Sequence, residues 1–495
     1  MPDAIIIPFE LPLPQVLPTI EGNVDYRELR EQLVRIDSLL RTGGLESRLL
    51  EKDLVRWLRQ RKRTRAKAQQ NRQRHCRRAL RCNIARSLIG EDYRGFAARL
   101  ADSPLLQWFC GISELPCITV PSKSTLERYD KWWPQTEIRQ LVYELLAQGA
   151  TVAPKLALPE AVDLESAFLD TTCLSANIHY PVDWVLLRDA TRTLMKAVQL
   201  IRQQGLKRRM EEPQVFLTRI NRLCIQMTHA RRNTDTQRHR KKTLRQMDKL
   251  VGTVRRHARR YGDLLAQCWS QTQWTQAQAQ QVLRRMDNVL DQLPQARKQA
   301  RQRILQDQPV ANAEKILSLY EPDVQVIVRK KAGAEVEFGN TLFLAENPQG
   351  LILDWELFQD KAPADSDLLP WSVGRMEEAY GPQLKAVAAD RGFDSEVNRV
   401  GLAEEGIYNA VCPRSPQQLR ERSGSWKFKR LQRRRGQIEG RISIVKNVFL
   451  NGQMRSKGFT HRALTVAWTV LVHNLWVLAR RQLRARAAQP RARAA

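Results

Sequence analysis

Residues 384–394 read Leu384-Lys385-Ala386-Val387-Ala388-Ala389-Asp390-Arg391-Gly392-Phe393-Asp394. A short run of small apolar residues closed by an acid fits a strand covered on both faces, since such a strand needs no polar alternation. The residues after it predict a helix capped by Asp394 and ended by Gly406, then a further strand at 407–412. Working outward, helix cues precede the run over 365–380 and stop at Gly381-Pro382. Before them, 335–344 and 351–358 alternate, with Leu351, Leu353, Trp355 and Leu357 on one face, and Asn347-Pro348-Gln349-Gly350 supplies the turn of a hairpin. Far upstream the apolar run ending in an acid returns as Ala167-Phe168-Leu169-Asp170. Downstream, a basic loop leads into a helix over about 431–450 that bears Glu439. This order predicts an α/β fold, a mixed sheet with flanking helices.

The first two strands are separated by a long helical stretch, 186–319, which reads as an all-α insertion. Leu244, Met247, Val251, Val254, Ala258, Tyr261, Leu265 and Cys268 recur three and four apart, and Val282, Met286, Val289, Leu293 and Ala296 repeat the pattern. The Gln-rich segment 270–281 is expected to be the bend of a helical hairpin, and the sheet domain is assigned to 160–185 and 320–480. Cations such as Lys207, Arg208, Arg209, Arg231, Arg232, Arg238, Arg240, Lys241 and Lys242 make its solvent face either a solvated coiled-coil surface or a DNA contact.

The 495 residues carry 82 Lys and Arg against 52 Asp and Glu, a formal charge of +30, which points to a polyanionic partner, most often nucleic acid. Much of the excess lies in 24–150, which reads as an all-α DNA-binding domain after an extended segment 1–23. No acid occurs between Leu54 and Gly90, while Arg61, Arg63, Arg77, Arg78 and many others carry positive charge. Ser103 or Asp102 caps a helix with Pro104 at its first position, closed by Gly111, and Pro121-Ser122-Lys123-Ser124-Thr125-Leu126 starts another. These starts fit a helix-turn-helix-like reader with Lys123 and Ser124 on phosphates, or a helical bundle with a basic surface.

A membrane partner is disfavoured. Asp3 stands where a signal peptide needs cations, and the longest apolar stretch, 463–479, contains His473 and Asn474 and reads as a core helix. The eight cysteines form no C-x-x-C pair and fit a reducing cytoplasm, where a nucleoid-associated protein would act. The Arg- and Ala-rich residues 481–495 are expected to be a disordered basic tail.

Two acids ending strands and one on a later helix can meet at one sheet edge. Such a carboxylate cluster suits Mg²⁺, which prefers oxygen ligands, and two ions about 4 Å apart support in-line phosphodiester displacement. On a regular helix, with about 100° per residue, Arg435 lies about 40° and Lys446 about 20° from Glu439, so the acid would stand between two cations on one face. The competing expectation is a solvated Arg435–Glu439 ion pair.

In this order the segments resemble the DDE transposases of bacterial insertion sequences. Arg435, Glu439 and Lys446 match the R, E and K of their Y-x2-R-x3-E-x6-K signature, with Gln432 where the Tyr stands. The run Leu169-Asp170-Thr171-Thr172-Cys173-Leu174-Ser175-Ala176-Asn177-Ile178-His179-Tyr180-Pro181-Val182-Asp183 is similar to the first-acid segment. Ala389-Asp390-Arg391-Gly392-Phe393-Asp394 is similar to the second-acid segment, and Val336-Glu337-Phe338-Gly339-Asn340 to the strand between them. The likeness covers roughly 85–480. It implies an RNase H-like catalytic domain, Asp170, Asp390 and Glu439 as a triad holding two Mg²⁺ (Mn²⁺ substituting), and Asp170 bridging both ions. It further implies that Arg435 and Lys446 hold the element's inverted-repeat ends, that target DNA is joined to them, and that the protein works as a homodimer or larger synaptic complex. An RNase H-like nuclease or a domesticated, inactive relative, and a non-catalytic basic DNA-binding protein, are the other classes open to such a chain.

Asn177 and His179 are possible accessories near the ions, with a structural histidine an equal reading for His179. Trp426 is expected either to stack on an unpaired base or, more often for such a residue, to pack on the sheet edge. Asp183 and Asp394 are expected to cap helices, and Trp132 and Trp133 to pack.

Overall fold

The computed structural model describes residues 17, 19–61, 65–113, 117–229, 235–331 and 334–493. Arg63, Arg231, Arg232 and most of the segment 1–23 lie outside the described residues. Seven helices come first: α1 (Val24–Thr42), α2 (Leu45–Arg59), α3 (Ala66–Ile89), α4 (Tyr93–Asp102), α5 (Pro104–Cys110), α6 (Lys123–Asp130) and α7 (Gln135–Thr151). Their ends follow local chemistry. Ser103 Oγ accepts from Leu106 N at 3.3 Å with Pro104 at the first helical position, Gly111 closes α5 at φ 67°, and Ser122 caps α6.

Strand β1 (Ser166–Ser175) leads into the insertion, built of α8 (Asp183–Gln203), α9 (Pro213–His229), α10 (Thr236–Cys268) and α11 (Gln276–Ile304). The bend between the last two is shorter than expected. A 3-10 turn at Trp269–Gln271 is followed by a capping box in which Thr275 and Gln278 satisfy each other's backbone, so α11 already begins within the Gln-rich segment. The repeat residues Leu244 to Leu265 of α10 are buried against α8, α9 and α11 in a core of their own. The cause is the apolar stripe, which has no other element to cover it.

The sheet continues with β2 (Gln325–Lys331), β3 (Ala334–Glu346) and β4 (Ile352–Leu357), then α12 (Asp365–Tyr380), β5 (Ala386–Ala388), α13 (Glu396–Glu404) and β6 (Tyr408–Asn409). The chain closes with α14 (Pro416–Arg422), α15 (Trp426–Arg435), α16 (Ile438–Ser443) and α17 (Phe459–Arg493). The hairpin forms as read: Asn347 Oδ1 accepts from the N–H of Gln349 and Leu351, and Gly350 takes φ 81°. Strand β2 was not anticipated, because an edge strand wetted on one side carries little pattern. The α/β class holds, with a small mixed sheet. Its order is β2-β3-β1-β5-β6, with β4 pairing a second stretch of β3. β3 is antiparallel to β1, β2 and β4, while β1, β5 and β6 run parallel.

The close pairing of β1 with β3 depends on one glycine. A Cβ on Gly339 would lie 2.0 Å from the Leu174 carbonyl oxygen, so no side chain fits where Ser175 faces it. Gly339→Ala is expected to force the strands apart and cost about 1–3 kcal/mol, read as a fall in Tm; an unchanged Tm would contradict this account of the register.

The N-terminal helices, expected as a separate domain, share one apolar core with the sheet and α17. Trp133 meets Trp468 edge-on at 5.9 Å, and Tyr143 meets Tyr380 at 5.5 Å. Over Phe459–Ala485, α17 is long and apolar enough to cross a membrane, but 89% of its most apolar window is buried inside the protein. Its polar residues serve that burial. Asn474 clamps Ile352 through both backbone groups, at 2.9 and 2.8 Å, and burial together with Arg441 holds His473 down to about 3, hence neutral. The helix runs on through Arg493, taking in most of the tail expected to be disordered, as its Ala- and Arg-rich composition favours.

Candidate functional site

The register of β1 and β5 sets the site. Phe168 pairs with Ala388 in parallel, so Asp170 and Asp390, each two residues further, sit side by side beyond the last pair and on the same face. Asp390 is anchored where β5 ends: its Oδ1 accepts from Gly392 N at 2.8 Å, capping the 3-10 turn Arg391–Phe393. Asp170 Oδ1 accepts from Thr171 N at 2.8 Å.

The electrostatics tie the third acid to these two. Burial pushes Asp170 up to about 6, opposed by the Thr171 N–H; Asp390 and Glu439 raise it further and Arg435 lowers it. Asp390, Glu439 and Arg435 are therefore each within electrostatic reach of Asp170. Glu439 is exposed and forms no ion pair with Arg435, so the solvated-pair expectation fails. Arg435 Nε is buried without a hydrogen-bond partner.

A fourth carboxylate escaped the sequence reading. Asp365, the first residue of α12, accepts from Thr171 Oγ1 at 3.2 Å. A Cβ on Gly392 would stand 2.8 Å from Asp365 Oδ2 and 3.0 Å from Asp390 Oδ1, so a glycine is required where these carboxylates close over the turn. An acid in a helix's first turn is so common that nothing in the sequence set it apart; the only signal was the Asp390-x-Gly392 spacing. As the side chains stand, no group of three or more His, Cys, Asp or Glu among the described residues is drawn together tightly enough to hold an ion.

The helix bearing Glu439 is not the regular one expected over 431–450. It breaks at Gly436-Gln437 and passes into a π-helix at Ile444–Phe449. The altered angular step means that the shared face of a regular helix does not extend to Lys446, which is half-buried on the π segment. Arg434 and Arg441, which flank the break, both grip the buried Glu346 at the end of β3, at 2.7 and 3.2 Å. Gln432, at the signature's Tyr position, donates to the carbonyls of Ala389 and Ala410, fastening α15 to the strand ends beside Asp390.

The other candidates separate. β1 carries the chain about 16 Å past Asp170 before Asn177 and His179, which line a pocket of about 370 Å³ with α8 and Tyr320. Both are thus removed from the acids. Trp426 is 71% exposed beneath the Arg430 guanidinium, not packed on the sheet edge. Asp183 is buried and takes hydrogen bonds from Gln299 and Arg303 rather than capping, and Asp394 accepts from Arg414 N while Ser395 caps α13.

In the N-terminal helices, Lys123 and Ser124 are exposed at the start of α6, and Lys123 lines a cleft of about 550 Å³ with Arg86, Arg94 and Arg455. Arg61 is exposed over Trp57. Arg77 and Arg78 are engaged within the protein. Arg77 is buried 3.2 Å from Glu46, and Arg78 donates to the Gly111 carbonyl at 3.0 Å. Acids distant in sequence neutralise much of the basic run: Asp53 holds Arg72, Glu46 and Asp37 hold Arg81, and Asp130 holds Arg86.

No protein family model, curated protein or solved structure matches the chain.

Proposed function

We propose that the chain is a transposase of a bacterial insertion sequence, with an RNase H-like catalytic sheet that cuts and joins DNA through Asp170, Asp390 and Glu439. The observation that carries this reading is the parallel register that sets Asp170 beside Asp390, with Glu439 and Arg435 acting electrostatically on the same carboxylate. The sheet supports it too, with antiparallel strands on one side of β1 and two parallel strands on the other.

The donor set fits hard divalent cations. It is all oxygen, and the raised Asp170 reflects its burial first, with Asp390 and Glu439 adding repulsion that an ion would relieve. Two Mg²⁺, for which Mn²⁺ substitutes, would supply Lewis acidity toward a phosphodiester and its attacking oxygen. Asp170 and Asp390 are fixed by the strand ends and define where the scissile phosphate must lie. Glu439, exposed on α16, swings in to complete the set. Arg435, with its unpartnered Nε, is placed to take a phosphate oxygen of the cleaved end. The exposed Arg61, Lys123 and Ser124 contact the inverted repeats, and a homodimer or larger assembly pairs two ends in the cytoplasm.

The test is cleavage of a labelled duplex carrying the gene's own flanking ends with Mg²⁺ or Mn²⁺. The wild type is expected to nick at the element boundary, whereas Glu439→Gln binds the same duplex with unchanged affinity and yields no product. Equal cleavage by both proteins, or binding without cleavage by either, would refute the assignment.

A further inference from the structure

The insertion between β1 and β2 takes no part in the acid cluster, yet its longest helix divides cleanly into two faces. On α10 the buried residues Leu244, Met247, Val251, Val254, Ala258, Tyr261 and Leu265 point toward α8, α9 and α11. At about 100° per residue, Arg238, Lys242, Arg245, Lys249, Arg256 and Arg260 fall within a sector of about 60° on the opposite side. All six are exposed. Arg238 stands 3.9 Å from Asp235, and among the described residues none of the other five forms an ion pair. The helix has only two acids, and neither interrupts the row. Asp248 is turned toward Arg297 and Arg301 of α11, and Asp263 marks the end of the row.

We infer that this face of α10 is a duplex-DNA backbone surface, separate from both the N-terminal helices and the acid site. The inference rests on the proposed function for the identity of the polyanion. From Arg238 to Arg260 the row spans about 33 Å at 1.5 Å per residue, close to one turn of B-DNA at about 34 Å. Duplex DNA presents phosphates along that whole length, so a straight row of long cations, five of the six in no ion pair among the described residues, can displace counterions at several points at once. The contact carries no base specificity, because Arg and Lys on phosphates position a duplex without reading it. A membrane surface is a poorer fit. A helix lying on lipid needs apolar side chains beside its cations, and no large exposed apolar residue lies on α10. The surface would hold the DNA that flanks a cleavage site while the acids act on the scissile phosphate.

The test uses the full chain and a fluorescent 30-base-pair duplex of arbitrary sequence, with affinity measured by anisotropy over a range of salt. In one variant Lys242, Arg245, Lys249 and Arg256 are all changed to Gln. In a control variant Arg284, Arg285 and Lys298, on α11 where Asp287 and Asp291 interrupt the cations, are changed likewise. Circular dichroism checks that both remain folded. The α10 variant is expected to bind tens-fold more weakly and to lower the slope of log K against log salt by up to about 3.6, at about 0.9 for each of the four phosphates no longer neutralised, with the control little changed. Equal slopes for wild type and the α10 variant, or equal losses in both variants, overturn the inference and leave the proposed function standing. Retention on phosphatidylserine vesicles that depends on these residues, without duplex binding, overturns it as well. A wild type that binds no duplex sinks both readings, whereas the α10 effect without any metal-dependent cleavage removes the proposed function alone.

Discussion

Asp170→Asn is expected to abolish metal-dependent cleavage while making the ion-free protein more stable at alkaline pH. The first half follows from charge. An amide is a poor ligand for Mg²⁺, and on the proposed reading, in which Asp170 anchors ions worth several kcal/mol in the transition state, its loss should lower the rate about 10³-fold or more. The second half follows from the raised value of Asp170, about 6 against an ordinary 3.8. Burial is the main cause, with Asp390 and Glu439 adding repulsion. For an acid whose folded value is raised, the folded state holds the proton more tightly than the unfolded state. Stability is therefore lost as pH climbs from near 4 through 6, and the full cost is present above that. About two pK units correspond to about 3 kcal/mol. The amide that replaces the carboxylate cannot ionise, so the variant should be more stable than wild type by up to about 3 kcal/mol at pH 8 and no more stable at pH 4. Urea unfolding with a chelator at the two pH values measures this, and equal differences at both would show that Asp170 is not a strained carboxylate. Millimolar Mg²⁺ should recover the difference in the wild type alone, since an ion that binds only the folded state stabilises it by mass action.

The strain also explains which part of the site could be read from the sequence. Asp170 and Asp390 were legible because each ends an apolar run, and buried strands leave few ways to place a terminal acid. Glu439 was legible by its spacing from Arg435, even though the helix proved irregular. Gly436 weakens the helix there, and the π segment that follows depends on packing against the sheet and α17, which no local pattern encodes. Asp365 was not legible, because its meaning comes from Thr171 and Gly392, residues that only the folded sheet brings to it. Strand β2 was missed for a related reason, since an edge strand is stabilised by its partner more than by its own alternation.

The basic run of α3 misled most, and its correction is testable. Thirty-seven residues without an acid, Leu54 to Gly90, suggested a polyanion-binding segment, yet Arg81 is 1% exposed with Glu46 and Asp37 around it and its Nη1 donates to the Phe109 carbonyl at 3.0 Å. Breaking a buried pair from one side leaves a charge stranded, so Arg81→Met should cost about 3–5 kcal/mol. Glu46→Gln in the same chain should return part of that loss, because the amide is neutral and can still meet Arg77, giving a coupling of about 1–3 kcal/mol in a double-mutant cycle. Burial pushes Glu46 up, but Arg81 and Arg77 more than offset it and hold the carboxyl below its ordinary value. A depressed acid contributes stability that is complete above about pH 4.5 and is lost as pH falls through its folded value. Wild type should therefore weaken in acid, and the double variant should lack that share of the pH dependence. Strictly additive losses would show that the pair is not coupled. DNA affinity and its salt slope should be the same in wild type and in the folded double variant. A charge already neutralised in the core releases no counterions from DNA, so on the proposed reading the excess of +30 would act through surface cations such as Lys123 and the row on α10.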